Sequence, residues 1–390
     1  MQVSALSFGP GLWDSQMAKY QSISALLMLS LLAGGCAQRL PTVDGPEATD
    51  LVKQVTGYIV MNGGADEQNR PEGLILAITL PNLKKEMVLK PPAVPSVDLP
   101  TLHALAGPDT EGRIACIEDH RFVISEKDKR HVLKSVKLDG TEEQELFVRR
   151  KAALWSDAIG EQLALAPVGG RIALVSDLTA VQMHEPPAYL RTGAIEIWDI
   201  SKKTGRKVGV TALDDSLSWF PDGKRLAFVE LVPAEKFART TPEMGDFGAG
   251  FKKWEKIPVV HILDTDTGKK TRLHVGWQPV VSSNGETVLV QDFDNRLRMV
   301  TVAERVSKSI QLPGYWGRSI AVLERDLVLY WGLPTTGLSP GYTKHNSSLR
   351  GPKPMPSLKL AEINSGKFQT VMPYVDPRDR ISFGKVEERR

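Results

Sequence analysis

Three histidines, His120, His184 and His345, fall in long polar stretches of this chain, and three imidazoles brought together could hold a divalent metal. The chain has seven histidines, and none forms a close pair at metal-ligand spacing. A lone loop histidine is ordinarily a solvated side chain, so neither a metal nor a cofactor is expected. The turn Asp264-Thr265-Asp266-Thr267-Gly268 begins like a calcium loop but lacks the later acidic ligands, and it reads as structural. Asp292-Phe293-Asp294-Asn295 reads likewise as a hairpin connection. No Gly-rich phosphate loop opening a helix, no Gly-x-Ser-x-Gly elbow and no following α/β-hydrolase half are read here, so propeller-gated peptidase chemistry is not expected.

Recognition chemistry is better represented. The stretch Leu231 to Lys256 carries Phe237, Phe247, Phe251 and Trp254 among Lys236, Lys252 and Lys253, with Gly245, Gly248 and Gly250 making it pliable. Two other long stretches add Met183, His184 and Tyr189, then Tyr342, His345 and Asn346. Aromatic and basic side chains on exposed loops are the usual anchors of a protein interface. The same aromatics could instead fold back and plug a central opening.

The elements that must position these groups are written as a repeat. Its clearest copy is Ser218-Trp219-Phe220-Pro221-Asp222-Gly223-Lys224-Arg225-Leu226-Ala227-Phe228-Val229, an apolar strand, a Pro-Asp-Gly turn and a second strand. Further copies run from Ala164 to Val175, Val280 to Val290 and His103 to Ile117. A second hairpin follows each at a distance, as in Ile195 to Lys207 through Thr204-Gly205, and Val260 to Lys270 through Thr267-Gly268. Gly at these turns supplies the positive φ that tight turns need. Two hairpins make a four-stranded antiparallel unit, and six units cover about 57–100, 101–150, 160–211, 213–275, 276–313 and 315–373. A recurring unit that cannot bury its own faces must stack on its neighbours. The expected fold is all-β: a six-bladed β-propeller with four-stranded antiparallel blades. The C-terminal stretch Ile381 to Val386 is expected to join the first blade and clip the ring shut.

Numbering strands outward from the axis, the first-to-second and third-to-fourth turns open on one face, here the turn face. The second-to-third loops and the links between blades open on the other. The long stretches 178–193, 231–256 and 333–356, and the shorter 120–131, all follow a second strand, so they gather on this insertion face. Loops on a rigid scaffold are where binding groups concentrate.

The phrase Ser-x-x-Pro-Asp-Gly-Lys-x-Leu-Ala-Phe resembles the repeat of TolB-like, WD-type propellers, and the resemblance covers about 300 residues. It implies the fold and leaves function open, because propellers host many unrelated activities. Some TolB-like propellers are oligogalacturonate lyases with a His-built metal site on the axis, which makes a metal-dependent polysaccharide lyase one alternative. A glycan or peptidoglycan-fragment binder using the axial funnel is another.

The N-terminal region sets the expected location. Residues 22–35 form a short apolar run ending in Ala33-Gly34-Gly35 before Cys36. The run is shorter than the ~20 residues a spanning helix needs and reads as a secretory signal covering 1–35. Residues 1–16 hold no Lys or Arg, so translation is expected to begin at Met17-Ala18-Lys19. Small residues before a Cys resemble the bacterial lipobox, which implies a lipid on Cys36, and Ala37 after it resembles an outer-membrane address with the propeller in the periplasm. Residues 36–56, with Pro41, Gly45 and Pro46, read as a tether and 57–390 as the propeller. The remaining Cys116 lies in Ile114-Ala115-Cys116-Ile117 and reads as a buried apolar residue. A formal net charge of +3, unchanged by removing 1–35 with Lys19 and Asp14, gives no case for nucleic-acid binding. The expected role is that of a lipid-anchored, non-catalytic scaffold binding another envelope protein.

Overall fold

The computed structural model describes residues 48–63, 74–89, 101–119, 130–150, 162–182, 189–236, 255–292, 296–332, 356–373, 375 and 381–387. Their strands form six four-stranded antiparallel sheets, the blades of a six-bladed propeller. Blade 2 runs outward as β4 (Thr101–Ala106), β5 (Arg113–Asp119), β6 (Arg130–Lys137) and β7 (Gln144–Arg150). Blade 3 holds β8 (Leu163–Leu165), β9 (Arg171–Gln182), β10 (Tyr189–Asp199) and β11 (Thr204–Leu213). Blade 4 holds β12 (Ser218–Trp219), β13 (Arg225–Pro233), β14 (Lys256–Asp264) and β15 (Lys270–Val275). Blade 5 holds β16 (Trp277–Val281), β17 (Thr287–Gln291), β18 (Leu297–Thr301) and β19 (Ser307–Ile310). Blade 6 holds β20 (Tyr315–Val322), β21 (Leu327–Gly332), β22 (Ser357–Glu362) and β23 (Phe368–Met372).

Blade 1 is assembled from both ends of the chain. Residues 57–89 supply three strands, β1 (Gly57–Gly63), β2 (Leu74–Leu80) and β3 (Lys84–Leu89), and the innermost is β24 (Ile381–Gly384). Tyr58 lies opposite Gly384 and Met61 opposite Ile381. Each innermost strand approaches those of the two neighbouring blades, and β24 approaches both β20 and β4, so the ring is closed.

The core is divided among the seams between blades. Six apolar clusters occupy the six seams, and second strands are buried on both faces. In β1, Ile59 and Met61 pack toward blade 6 while Val60 packs toward blade 2. In β9, Ile172 and Leu174 pack toward blade 2 and Ala173 and Val175 toward blade 4. This explains why the second strands read as continuous apolar runs. Cys116 is fully buried in the seam of blades 1 and 2, and burial pushes its thiol up to about 12, the behaviour of an inert core residue.

First-hairpin turns touch one another around the turn face. Thr110 N–H donates to Pro167 O at 2.9 Å, Ser283 N–H to Val322 O at 3.0 Å and Glu387 N–H to Thr110 O at 2.9 Å. In the clearest turn, Gly223 has φ +63°, and Asp222 Oδ1 accepts from the Lys224 and Arg225 amides. Burial alone would raise the Asp222 carboxyl, but those amides and the Arg225 guanidinium hold it below its ordinary value. The Asp264 turn is structural in the same way. Asp264 Oδ1 accepts from the Asp266 and Thr267 amides, and Arg171 of blade 3 pairs with Asp266 at 2.9 Å.

One boundary differs from the expected tether of 36–56. A short 3-10 turn, Leu51–Gln54, lays Leu51, Val52 and Val55 into the seam between blades 6 and 1, so the part of the tether from Ala48 onward is packed. Leu51, Val52 and Val55 carry this packing, and three apolar residues within five positions of a polar stretch are too few to read as an amphipathic element in the sequence.

Candidate functional site

Blades 3 and 4 are the tallest, and their second and third strands grow out of the insertion face. The β9–β10 ladder continues to Gln182 opposite Tyr189, and β13–β14 continues to Pro233 opposite Lys256. Much of the stretches 178–193 and 231–256 is therefore extended hairpin, leaving 183–188 and 237–254 as the connections at the tips. β11 adds a third strand to the blade 3 projection, with Thr192 opposite Leu213.

Packing holds these projections firmly. Leu178 is buried in the seam of blades 3 and 4, and Leu190 and Leu231 pack against the cluster between blades 4 and 5. Val232 and Ala234 cover Ile257, Val259 and Val275, and Ala234 N–H donates to Glu255 O at 2.9 Å to close the blade 4 hairpin. The bend in blade 3 sits at Asp177, whose φ is +55°, beside Gly193. A Cβ on Gly193 would lie 2.2 Å from Ser176 O, so only Gly permits that approach.

Charge pairs lace the bases of the projections. Arg191 meets the buried Asp214 at 2.7 Å, Arg149 of blade 2 meets Glu196 of blade 3 at 3.2 Å, and Lys207 pairs with Asp177. In blade 4, Glu230 takes both oxygens to Lys270, at 2.8 and 2.6 Å, and faces His261 Nδ1 at 3.6 Å. His261 also stacks on Phe228 and lies 3.2 Å from Val259 O. Burial holds its imidazole below the ordinary value against the pull of Glu230. The folded chain thus resists a proton that the unfolded chain accepts. Stability from this group is complete above the ordinary imidazole range and is lost as pH falls through it toward the lowered folded value. His261→Gln is expected to flatten that acid limb, read as a smaller loss of urea midpoint between about pH 7 and about pH 5 than in the parent. An unchanged loss would contradict it.

The residues singled out in the sequence distribute as follows. Tyr189 is the first residue of β10, at the head of the blade 3 projection. Cys36, His120, Met183, His184, Phe237, Phe247, Phe251, Trp254, Tyr342 and His345 lie outside the described residues. His131, His261 and His274 are buried within the blades. Among the described residues no group of three His, Cys, Asp or Glu side chains is placed to hold a metal. The string Gly337-Leu338-Ser339-Pro340-Gly341 has the spacing of a nucleophile elbow and also lies outside the described residues. This corrects the expectation that no such spacing occurs in the chain; three residues at that spacing do not by themselves make an elbow. The projecting strands and the Glu230–His261–Lys270 group were not singled out in the sequence. The apolar run Leu226 to Val232, broken only by Glu230, was the signal that β13 extends beyond the ordinary strand length.

No protein-family model and no curated protein sequence matches the chain. Among solved structures, a nidogen/laminin complex is 12% identical with a TM-score of 0.46, over 83% of this chain and 96% of that one. An oligogalacturonate lyase in complex with manganese is 13% identical with a TM-score of 0.41, over 67% of this chain and 68% of that one. The β-propeller domain of the Trilobed protease from Pyrococcus furiosus is 11% identical with a TM-score of 0.39, over 71% and 72%. At such identities a likeness concerns fold alone, and the architecture of this chain rests on its own six sheets and their register.

Proposed function

We propose that this chain is a lipid-anchored envelope propeller that binds another envelope protein through its insertion face and carries out no chemistry of its own. The observation that supports it best is the pair of tall hairpins on blades 3 and 4. They are held by buried Leu178, by partly buried Leu190 and Leu231 and by ion pairs; the connection 237–254 between β13 and β14 carries Phe237, Phe247, Phe251, Trp254, Lys252 and Lys253, and that between β9 and β10 carries Met183 and His184. A firm base beneath a connection rich in aromatic and basic residues is an arrangement that presents interface anchors. The lipobox-like run before Cys36 supports the envelope setting.

The test compares the membrane-anchored protein with a variant lacking 238–252, each cross-linked in cells and affinity-purified. The intact form is expected to capture one defined envelope protein, and the variant to lose it. Thermal stability should change by less than about 1 kcal/mol, because altering surface-loop length has a weak entropic effect. Capture of no protein by either form would end the scaffold reading and turn attention to glycan arrays and metal analysis.

A further inference from the structure

The place where the N-terminal segment docks fixes how an anchored propeller stands. Ala48 N–H donates to Phe368 O at 2.6 Å, and Phe368 opens the outermost strand of blade 6 directly after its third-to-fourth turn. Val52 N–H donates to Gln369 Oε1 at 2.8 Å. Leu51, Val52 and Val55 then join the apolar cluster of the seam between blades 6 and 1, and the turn Leu51–Gln54 lies against β22 and β23. The segment ends at Gly57, next to Gly384 and Phe383, where β1 begins. Residues 48–57 thus cross from the outer rim of blade 6 to blade 1 along the turn face. The insertion face lies at the other end of the strands, which at about 3.3 Å per residue puts it roughly 20 Å or more away.

Cys36 lies only twelve positions before Ala48. Such a span reaches about 40 Å when fully extended and about 20 Å as a flexible coil. Lipid on Cys36 would therefore hold the rim of blade 6 on the turn face close to the bilayer. Turning the insertion face toward the lipid would require the chain to pass the ring and the blade 3 projection, roughly 36 Å over the twelve residues of β9, which is near its full extension and costs chain entropy.

We propose that the anchored protein stands with its turn face toward the bilayer and its insertion face turned away from it. The partner is then a protein approaching from the aqueous side, and a surface buried in the same membrane is out of reach of the projecting hairpins. This rests on the reading of Cys36 as the lipidated residue.

The test uses the lipidated full chain reconstituted in phosphatidylethanolamine–phosphatidylglycerol vesicles containing a lipid with a nitroxide on its headgroup. Fluorophores are placed singly at Lys367→Cys and Lys269→Cys, on exposed turn-face positions, and at Ala180→Cys, exposed on the blade 3 projection. Buried Cys116 stays unlabelled. Quenching severalfold stronger at the two turn-face positions than at Ala180→Cys is expected. Inserting about 30 Gly/Ser residues between Thr42 and Val43 should erase the difference by lengthening the reach. Equal quenching in the parent, or stronger quenching at Ala180→Cys, overturns the orientation. Vesicle flotation of the parent and of Cys36→Ser separates the two readings. If the parent floats and Cys36→Ser does not, the anchor stands and the labels alone judge the orientation. If neither floats, or both do, the anchor reading falls and the orientation with it.

Discussion

Truncation after Arg380 is expected to abolish cooperative folding. The lost residues supply the whole innermost strand of blade 1, four residue pairs with β1, and leave the inner edge of β1 bare. Ile381 leaves the cluster between blades 6 and 1. The contacts that carry the ring across both sides of blade 1 go as well: Glu387 N–H to Thr110 O, Gly107 N–H to Ser382 Oγ at 3.2 Å, and Lys385 to Glu324 at 2.6 Å. A propeller buries its faces only while every blade has two neighbours, so opening one junction exposes the two apolar faces of a seam and an unpaired strand edge. The loss should exceed about 5 kcal/mol, a large share of the 5–15 kcal/mol that holds a typical domain folded. The expected observation is an aggregation-prone protein without a sigmoidal melt. A single substitution addresses the same junction. A Cβ on Gly384 would lie 1.8 Å from Pro108 O, so Gly384→Val should cost about 3–5 kcal/mol by driving backbone against backbone. A truncated protein melting within a few degrees of the parent would show that the strand is dispensable.

Gly223→Val should be the most damaging change at any repeat turn described. Gly223 has φ +63°, a conformation that costs an L-residue about 1–2 kcal/mol and a β-branched one more. The neighbouring blade adds a second penalty. A Cβ there would lie 2.4 Å from Val168 O and 2.9 Å from Val168 Cγ2, so the Pro-Asp-Gly turn of blade 4 could no longer seat on that of blade 3. Together these should cost about 3–5 kcal/mol, read as a fall in Tm of about 5–10 °C or more. Gly268 provides the control: its φ is +73°, and nothing lies within 4 Å of its absent Cβ. Gly268→Ala should therefore lose only the conformational part, about 1–2 kcal/mol. Equal losses at the two sites would mean that the contact with Val168 carries no weight.

The sequence determined the blades because everything that makes a blade is local. The Pro-Asp-Gly turn around Gly223, the Asp264 turn and the alternation in Ile195–Ile200 each lie within a dozen residues, and hydrogen bonds close each hairpin within that span. Counting such units determined six blades and placed the long stretches on one face, since antiparallel strands alternate ends. It also determined that Cys116, flanked by apolar residues on an alternating strand, would be buried.

What joins distant parts of the chain was decided by the tertiary structure. Leu51, Val52 and Val55 belong to no periodic pattern, and their partners Leu327, Leu358 and Val371 lie hundreds of residues away. The same holds for Gly384 against Pro108, and for Gly193, which stands inside a strand with no turn to justify it until Ser176 O is seen beneath it. Local backbone preference determines hairpins. Which seam a side chain enters, and which end of the ring the N-terminal segment packs against, depend on closing a ring over more than 300 residues. No local pattern encodes that distance.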